Sequence, residues 1–172
     1  LVAPIMLEES RYSNEDPLAN IFESIRKELL QSPTIRSAVV MSQVRDGLTP
    51  MTVEGVNYAR ETDQPETYAR AVSTGLDAIG VSLKDGRWFD ERDTSENFKS
   101  AMVSASLAQK LWPDGDSLGS RIRLSDNEDT QEWATVVGIV SDTLNGNPMS
   151  KNSSTDAIYF PLQQSKSRSA NV

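Results

Sequence analysis

The chain has 172 residues, of which 37% are hydrophobic and 24% charged, so it can bury a core and is predicted to fold as one domain or two small lobes. Its net charge of -8 repels phosphate backbones and therefore disfavours nucleic-acid binding. The absence of Cys and His removes thiolate nucleophiles, thiolate and imidazole metal ligands, and the side chain best suited to proton transfer near neutral pH.

The first predicted element is an amphipathic helix. Asp16 is a suitable N-cap and Pro17 a suitable first helical residue. The apolar stripe that follows comprises Leu18, Ile21, Phe22, Ile25 and Leu29. Pro33 is expected to stop the helix because it has no backbone amide to donate, and residues 35–44 are predicted to form a strand.

The middle of the chain is predicted to consist of short strands. Asp46 and Gly47 mark a turn, and residues 51–56 then alternate in polarity as a half-exposed strand does. A further strand is predicted at 68–72 and a short helix at 74–79.

The second half of the chain continues this mixture. A strand at 101–103 leads into a helix that Ser104 or Ser106 can cap and that runs through Trp112. The remaining strands are predicted at 121–124, at 133–140 and at 157–161. The run 133–140 is the most strongly β-forming and should be central in a sheet, whereas the tail after residue 164 is expected to be disordered. The elements together predict an α+β fold.

Two acidic segments are candidate cation sites, although a solvated loop is the favoured interpretation of both. The first holds Asp126, Glu128, Asp129 and Glu132, and the second holds Asp114 and Asp116. Calcium takes several oxygen ligands, but the spacing of the first segment does not match an EF-hand loop, and Pro113 beside Gly115 favours a plain turn in the second. We therefore predict no metal site.

A carboxylate-only hydrolase is a further hypothesis, since Asp and Glu are the abundant acid and base groups. Asp90, Glu91 and Asp93 are close in sequence but surround Arg92, which favours charged turn residues over an acid and base pair. The hydrolase would require carboxylates from distant segments, such as Asp93 and Asp142, to converge in a cleft.

Other motifs of catalysis and cofactor binding are missing. The loop 145–148 (NGNP) has neither a P-loop lysine nor dinucleotide-fold glycine spacing, and no Ser stands in a nucleophile elbow. The sequence thus predicts no catalytic, cofactor-binding or metal-binding residue, and it assigns no substrate-binding residue. The aromatic side chains next to apolar segments are interpreted as core or lobe-interface anchors: Trp88, Phe89, Trp112 and Trp133.

Four stretches, taken in order, resemble the periplasmic core domain of MacB-like ABC permeases. They are residues 86–93 (GRWFDERD), 106–113 (SLAQKLWP) with 117–119 (SLG), 133–142 (WATVVGIVSD) and 158–161 (IYFP). Each motif is weak alone, but their order and spacing are jointly specific. Within this group of permeases the sequence is most similar to an orphan branch whose cargo is unknown.

The resemblance implies a two-lobed domain between the first two transmembrane helices of an inner-membrane permease. A porter-like βαβ lobe would comprise residues 1–83 and 155–172, and an inserted smaller β-rich lobe would comprise residues 84–154. The chain, which begins at Leu1 rather than Met, would then be a piece excised between membrane helices.

The resemblance also implies a function without catalysis in this chain. The partners would be a cytoplasmic ABC ATPase domain or subunit, a second permease in a homodimer or a pair of related subunits, and a periplasmic adaptor protein. Macrolide export, lipoprotein release, peptide export and a signalling or cell-division role all remain open. The alternative hypothesis is a periplasmic ligand-binding or sensor module without a transport role, which would need a concave pocket with convergent polar groups.

Overall fold

The computed structural model describes residues 2–7, 18–93, 99–125, 132–149, 151–164 and 169–172. These residues form two α-helices, nine β-strands and three 3₁₀ helices. The helices are α1 (Leu18–Leu29) and α2 (Ala105–Leu111), and the 3₁₀ helices span Glu61–Asp63, Leu76–Ile79 and Leu162–Gln164. The strands are β1 (Pro4–Met6), β2 (Met41–Val53), β3 (Glu66–Val72), β4 (Leu83–Gly86), β5 (Ser100–Ser104), β6 (Arg121–Leu124), β7 (Ala134–Val140), β8 (Ala157–Pro161) and β9 (Ser169–Asn171). The fold is mixed α/β and rich in sheet.

The strands belong to one sheet in the order β1-β9-β2-β3-β8-β5-β7-β4, and β6 pairs with both β2 and β7. The pairs β3–β8 and β5–β7 are parallel, and the other pairs are antiparallel. Because β6 bridges β2 and β7, six strands form a closed circuit of hydrogen-bonded pairs, β2-β3-β8-β5-β7-β6. Closure of this kind gives each of these six strands two paired neighbours.

The largest group of buried apolar side chains lies between the strands of this circuit. All six strands contribute to it: Met51 and Val53 from β2, Ala69 from β3, Ile158 from β8, Ala101 and Val103 from β5, Val136 from β7, and Ile122 from β6. Helix α2 adds Leu107, which is fully buried, and Ala108. The sheet and α2 therefore share one core.

Two further apolar clusters flank this core. One joins Tyr68, Val72 and Tyr159 to the 3₁₀ residue Leu76 and to Phe89 beyond β4. The other packs Phe22 of α1 against Val40, Ala71, Leu162 and Ala170. In the part of the chain that the structure describes, neither α-helix has the length and apolar composition of a bilayer span.

Several predicted elements are confirmed. Helix α1 ends at Leu29 as expected, while its predicted cap, Asp16 with Pro17, lies outside the described residues. Strand β7 is confirmed as central, since it pairs with β4, β5 and β6 and its side chains alternate between buried and partly buried. Helix α2 is capped by Ser104, one of the two predicted caps.

The predicted turn at Asp46 and Gly47 is wrong, because one long strand, β2, replaces the two predicted strands on either side. Both halves of β2 pair with β3, and the register shifts between Gln43 and Leu48. The extra residues form an irregularity in the ladder, where Gly47 adopts a positive φ of 78°. Because both halves pair with the same neighbour, the chain does not reverse direction at Asp46 and Gly47, and no hairpin turn forms there.

The expectation of a disordered tail is wrong for residues 169–171. They form β9, which pairs with β1 and, through Asn171, with Met41 of β2. Ala170 is 5% exposed and belongs to the cluster around Phe22. A strand of three residues is too short to show an alternation of polar and apolar side chains. Its structure depends on pairing with strands that are distant in the sequence.

Candidate functional site

The segment after β4 is fixed by an ion pair between Arg87 and Asp93. Arg87 donates from Nη1 and Nη2 to the two carboxylate oxygens of Asp93, at 2.7 and 3.0 Å. The Ser100 hydroxyl and the Asp90 backbone amide also donate to Asp93, which is 2% exposed. Burial alone would raise the pKa of Asp93, but the hydrogen bonds from Arg87 and Ser100 outweigh it and hold the pKa below its usual value. Asp93 is therefore an ionised structural carboxylate at neutral pH.

The neighbouring carboxylates do not form an acid and base pair either. Asp90 accepts hydrogen bonds from the Arg92 side chain, the shortest at 2.6 Å, and these bonds hold the pKa of Asp90 far below its usual value. Glu91 is exposed in the same turn. A carboxyl group with a lowered pKa is a poor proton donor at neutral pH.

Asp93 and Asp142, the pair that the hydrolase hypothesis requires, are not brought together. Asp93 is bonded to Ser100, the first residue of β5, whereas Asp142 accepts a hydrogen bond from the backbone amide of Ser106, beyond the end of β5, at 2.8 Å. A strand rises about 3.3 Å per residue, so the length of β5 separates the two carboxylates. The structure gives the hydrolase hypothesis no support.

The two acidic segments that were considered as cation sites are not assembled into a site by the described residues. Asp126, Glu128 and Asp129 lie outside the described residues, and Glu132 pairs with Lys99 at 3.5 Å. Asp114 and Asp116 are exposed in the turn after α2. Among the described ranges, no group of three or more acidic side chains is placed to hold a metal ion.

Three of the four aromatic anchors pack against apolar clusters, as predicted. Phe89 is buried, Trp88 packs on the cluster around Tyr68, and Trp112 packs on the core inside the circuit. Trp133 differs, because its ring lies under the guanidinium groups of two β6 arginines, 5.8 Å from that of Arg121 and 4.7 Å from that of Arg123. Cation–π contacts thus stabilise Trp133 at the start of β7.

The sequence analysis misses the most unusual buried side chain, Arg70 of β3. Arg70 is 9% exposed, and its Nη1 has no hydrogen-bond partner among the residues that the structure describes. The guanidinium carbon lies 5.2 Å from the centre of the Tyr68 ring. Burial lowers the pKa of Arg70, while Tyr159, Tyr68 and Asp46 act in the opposite direction. Arginine keeps its proton in proteins, so β3 carries a buried and incompletely paired positive charge.

Strand alternation was the signal that could have revealed Arg70. Side chains two residues apart in a strand share a face, so Arg70 lies on the face of Tyr68 and Val72, while Ala69 and Ala71 occupy the other. Both apolar neighbours are buried, and a charged residue between them is unusual.

A loop between β7 and β8 is fastened to the two tyrosines beside Arg70. Tyr159, which pairs with Arg70 in the register of β8 and β3, has its hydroxyl 2.8 Å from the Thr143 hydroxyl. The Tyr68 hydroxyl donates to the backbone carbonyl of Asn152 at 2.7 Å. We call residues 143–149 and 151–154 the covering loop, and name Tyr68, Arg70 and Tyr159 the arginine site.

The covering loop approaches Tyr68 closely. Gly146 has a positive φ of 86°, and a Cβ at this position would collide with the Tyr68 hydroxyl. Asn145 and Ser154 close the base of the loop with two backbone hydrogen bonds, at 2.8 and 3.0 Å. The glycine therefore permits the contact between the loop and the arginine site.

An open cleft of about 610 Å³ lies beside β2, the other strand that pairs with β3. It is lined by residues of β1, β2 and β9 and near them: Pro4, Ile5, Met6, Ser42, Gln43, Val44, Asp46, Ser169, Ala170 and Asn171. Gln43 on its β2 side is the register partner of Arg70. The arginine site is thus contacted by the covering loop, and β2, which pairs with the strand of Arg70, borders the cleft.

Comparison with known sequences gives one family. The family described as MacB-like periplasmic core domain matches residues 5–172. Two relatives, each named macrolide export ATP-binding/permease protein MacB, come from Neisseria gonorrhoeae and Neisseria meningitidis. Each is 30% identical to this chain over 93 residues, which cover 54% of this chain and 14% of the relative. The match thus spans a small part of the length of these relatives.

Solved structures of similar domains share the fold. The periplasmic region of MacB from Actinobacillus actinomycetemcomitans has a TM-score of 0.59 at 17% identity, over 99% of this chain and 72% of that one. The extracellular domain of the noncanonic ABC-type transporter YknZ from Gram-positive bacteria has a TM-score of 0.57 at 15% identity, over 100% and 82%. A permease domain from Porphyromonas gingivalis has a TM-score of 0.56 at 19% identity, over 87% and 64%.

Proposed function

Because the chain belongs to the family of MacB-like periplasmic core domains, we propose that it is the periplasmic domain of an ABC transporter permease subunit in the inner membrane. A separate cytoplasmic ATPase domain or subunit hydrolyses ATP, and this domain transmits the resulting movement for export or mechanotransmission. ATP can drive movement of the permease complex when it binds two conformations of the complex unequally. The role of this domain in that movement is mechanical.

The observation that carries the proposal is the pairing of residues near the two ends of the chain. The Ala3 amide donates to the Val172 carbonyl at 2.7 Å, and the Val172 amide donates to the Ala3 carbonyl at 2.9 Å. Polypeptide on either side of the domain would therefore leave it at one place. This arrangement suits a domain inserted between two adjacent transmembrane helices.

The closed circuit supports a domain that moves as a unit. Its six strands enclose one well-buried core, and α2 is packed into the same core. Packed cores resist deformation and transmit displacement. Movement of the flanking membrane helices would then shift the whole circuit.

The division into a porter-like lobe (1–83 and 155–172) and an inserted β-rich lobe (84–154) stays part of the proposal. The inserted part joins the rest through two ladders, β5–β8 and β2–β6. Native-state hydrogen exchange tests the division, because separate lobes would open as separate cooperative units. Exchange of all ladders with one common free energy would argue against it.

The proposed partners follow from the same role. They are the cytoplasmic ATPase, a second permease in a homodimer or a related pair, and a periplasmic adaptor protein. The membrane is reached through the flanking helices. Purification of the full-length permease from a bacterial membrane, followed by identification of its co-purified subunits, tests this set.

Distance measurement in the full-length permease tests the mechanical role. A spin label can be attached to a cysteine introduced at the exposed residue Asp77, in a full-length permease from which any cysteines outside these 172 residues have been removed. The distance between the two labelled domains of the dimer should differ between the ATP-bound and nucleotide-free complexes. Labels at Asn57 and Asp77 within one domain serve as the control, and their distance should stay constant.

An unchanged distance between domains, with an ATPase that binds and hydrolyses ATP, would contradict mechanotransmission. The alternative function, a ligand-binding or sensor module, would instead show a ligand-dependent rise in the melting temperature without a nucleotide-dependent change in distance.

A further inference from the structure

We infer that the arginine site binds a carboxylate group of a ligand, which Arg70 holds once the covering loop has lifted. The inference rests on the surroundings of Arg70 and goes beyond the proposed mechanical role, which does not require a ligand at this place.

The first step is the unsatisfied charge. Nη1 of Arg70 has no hydrogen-bond partner among the described residues, although the residue is 9% exposed. Buried polar groups are nearly always hydrogen-bonded, and a buried charge without full pairing is costly. An apolar side chain would fit this face, which Tyr68 and Val72 already share, at lower cost. The guanidinium is therefore placed to meet an acceptor from outside the chain.

The second step is the chemistry of that acceptor. A guanidinium presents planar pairs of donors that match the two oxygens of a carboxylate. Asp46 already contributes negative charge near Arg70, and the chain as a whole carries a net charge of -8. A dianion such as phosphate would meet more repulsion than a monoanion does. A monoanionic carboxylate therefore fits Arg70 better than a dianion.

The third step is access. The covering loop is fastened at the site by the two tyrosine hydroxyls, through Thr143 and Asn152. Its apolar side chains contribute little to closure, because Leu144 is 57% and Met149 94% exposed. Lifting the loop would therefore break the two tyrosine hydrogen bonds and affect the further interactions of Asn152 and Ser153, and it would expose little buried apolar area.

Titration of the ¹⁵N-labelled chain of residues 1–172 by NMR tests the inference, with sodium acetate as the probe. Acetamide, a neutral molecule of the same shape, is the matched ligand control, and sodium chloride controls for ionic strength. Saturable shifts of the Arg70 Nε–Hε signal with acetate but not with acetamide or chloride are the expected result.

Two arginine variants locate the binding. Arg70→Met removes the charge and keeps most of the length, so it should abolish the saturable shifts in the backbone amides of Tyr68 and Tyr159. The control Arg36→Met removes an exposed arginine and should leave them unchanged. If circular dichroism shows that Arg70→Met does not fold, the comparison of acetate with acetamide in the unmodified chain tests the inference instead.

A third variant tests the loop. Gly146→Ala forces the loop away from the Tyr68 hydroxyl, so acetate should bind about fivefold more tightly because one hydrogen bond fewer holds the loop closed. A short peptide with a free C-terminal carboxylate, compared with its C-terminal amide, distinguishes the source of the carboxylate. Tighter binding of the free peptide than of acetate would identify peptide C-termini as the source of the carboxylate. Equal binding would identify small carboxylates as the source.

Three results would overturn the inference. They are an absence of saturable shifts with acetate, the same shifts in Arg70→Met, and a slowly exchanging water at the Arg70 guanidinium that acetate does not displace. The last result would show that Arg70 is satisfied by buried water alone.

Discussion

The hydroxyl oxygen of Ser104 accepts a hydrogen bond from the backbone amide of Ala157 at 3.0 Å. The same oxygen caps α2 by accepting from the Leu107 amide at 3.4 Å. Both Ser104 and Ala157 are fully buried. One side chain thus ties the start of α2 to the start of β8, two elements that are far apart in the sequence.

Ser104→Ala should lower the free energy of unfolding by about 2 kcal/mol, since it removes a helix cap and leaves the buried Ala157 amide without this acceptor. Urea unfolding followed by circular dichroism measures the change. Ser106→Ala is the matched control, because its hydroxyl contacts Ser104 but caps no amide, and it should cost less than about 0.5 kcal/mol. Equal losses in both variants would show that Ser104 does not link the two elements.

Asp93→Asn should also destabilise the chain, by about 2 kcal/mol, because it weakens two charged hydrogen bonds from Arg87 and one from Ser100 in a buried place. The control is Asp90→Asn, which removes a more exposed carboxylate that pairs with Arg92 and, at 3.4 Å, with Arg87, and it should shift the urea midpoint much less. A similar shift of the urea midpoint in both variants would mean that burial of the Asp93 carboxylate does not increase its contribution to stability.

The stability that Asp93 contributes should depend on pH. Its pKa is lowered in the folded chain, so the folded state binds fewer protons than the unfolded state between the folded pKa and the unfolded value of about 3.9. The contribution is complete above that value and is lost as the pH falls through the folded pKa. The difference in unfolding free energy between the unmodified chain and Asp93→Asn should therefore narrow as the pH falls from 7 to about 3. A constant difference in unfolding free energy over this pH range would contradict a lowered pKa of Asp93 in the folded chain.

Elements with a strong local pattern were predictable from the sequence. The run 133–140 is rich in β-branched residues, and Ser104 precedes a short apolar helix, so β7 and α2 follow from local chemistry. The irregularity in β2 was not predictable, because Asp46 and Gly47 suit a hairpin turn as well as a bulge. Only the pairing of both halves with β3 decides between these structures.

The candidate site was predictable only in part. Strand alternation marks Arg70 as a charge between the apolar residues Tyr68 and Val72, but its surroundings depend on Tyr159 and Asn152, which lie far away along the chain. The acidic clusters that attract attention in the sequence prove to be ion pairs or exposed turns wherever they are described. Charged residues in sequence clusters are usually solvated, whereas a single charge among apolar neighbours must be accommodated by the fold.

A disulfide between positions 3 and 172 would test the geometry on which the proposed insertion depends. Ala3 and Val172 exchange two backbone hydrogen bonds, and Cα atoms in such antiparallel pairs lie about 5.5 Å apart, within the range of disulfides. The double variant Ala3→Cys with Val172→Cys should oxidise to an intramolecular disulfide and gain about 2–4 kcal/mol over its reduced form. Since the chain has no other cysteine, a thiol assay and a non-reducing gel identify the bond directly, with the two single variants as controls. Two free thiols after mild oxidation, or cross-linked dimers in place of monomers, would show that the two ends do not stay paired in solution, and the insertion between adjacent membrane helices would lose its structural support.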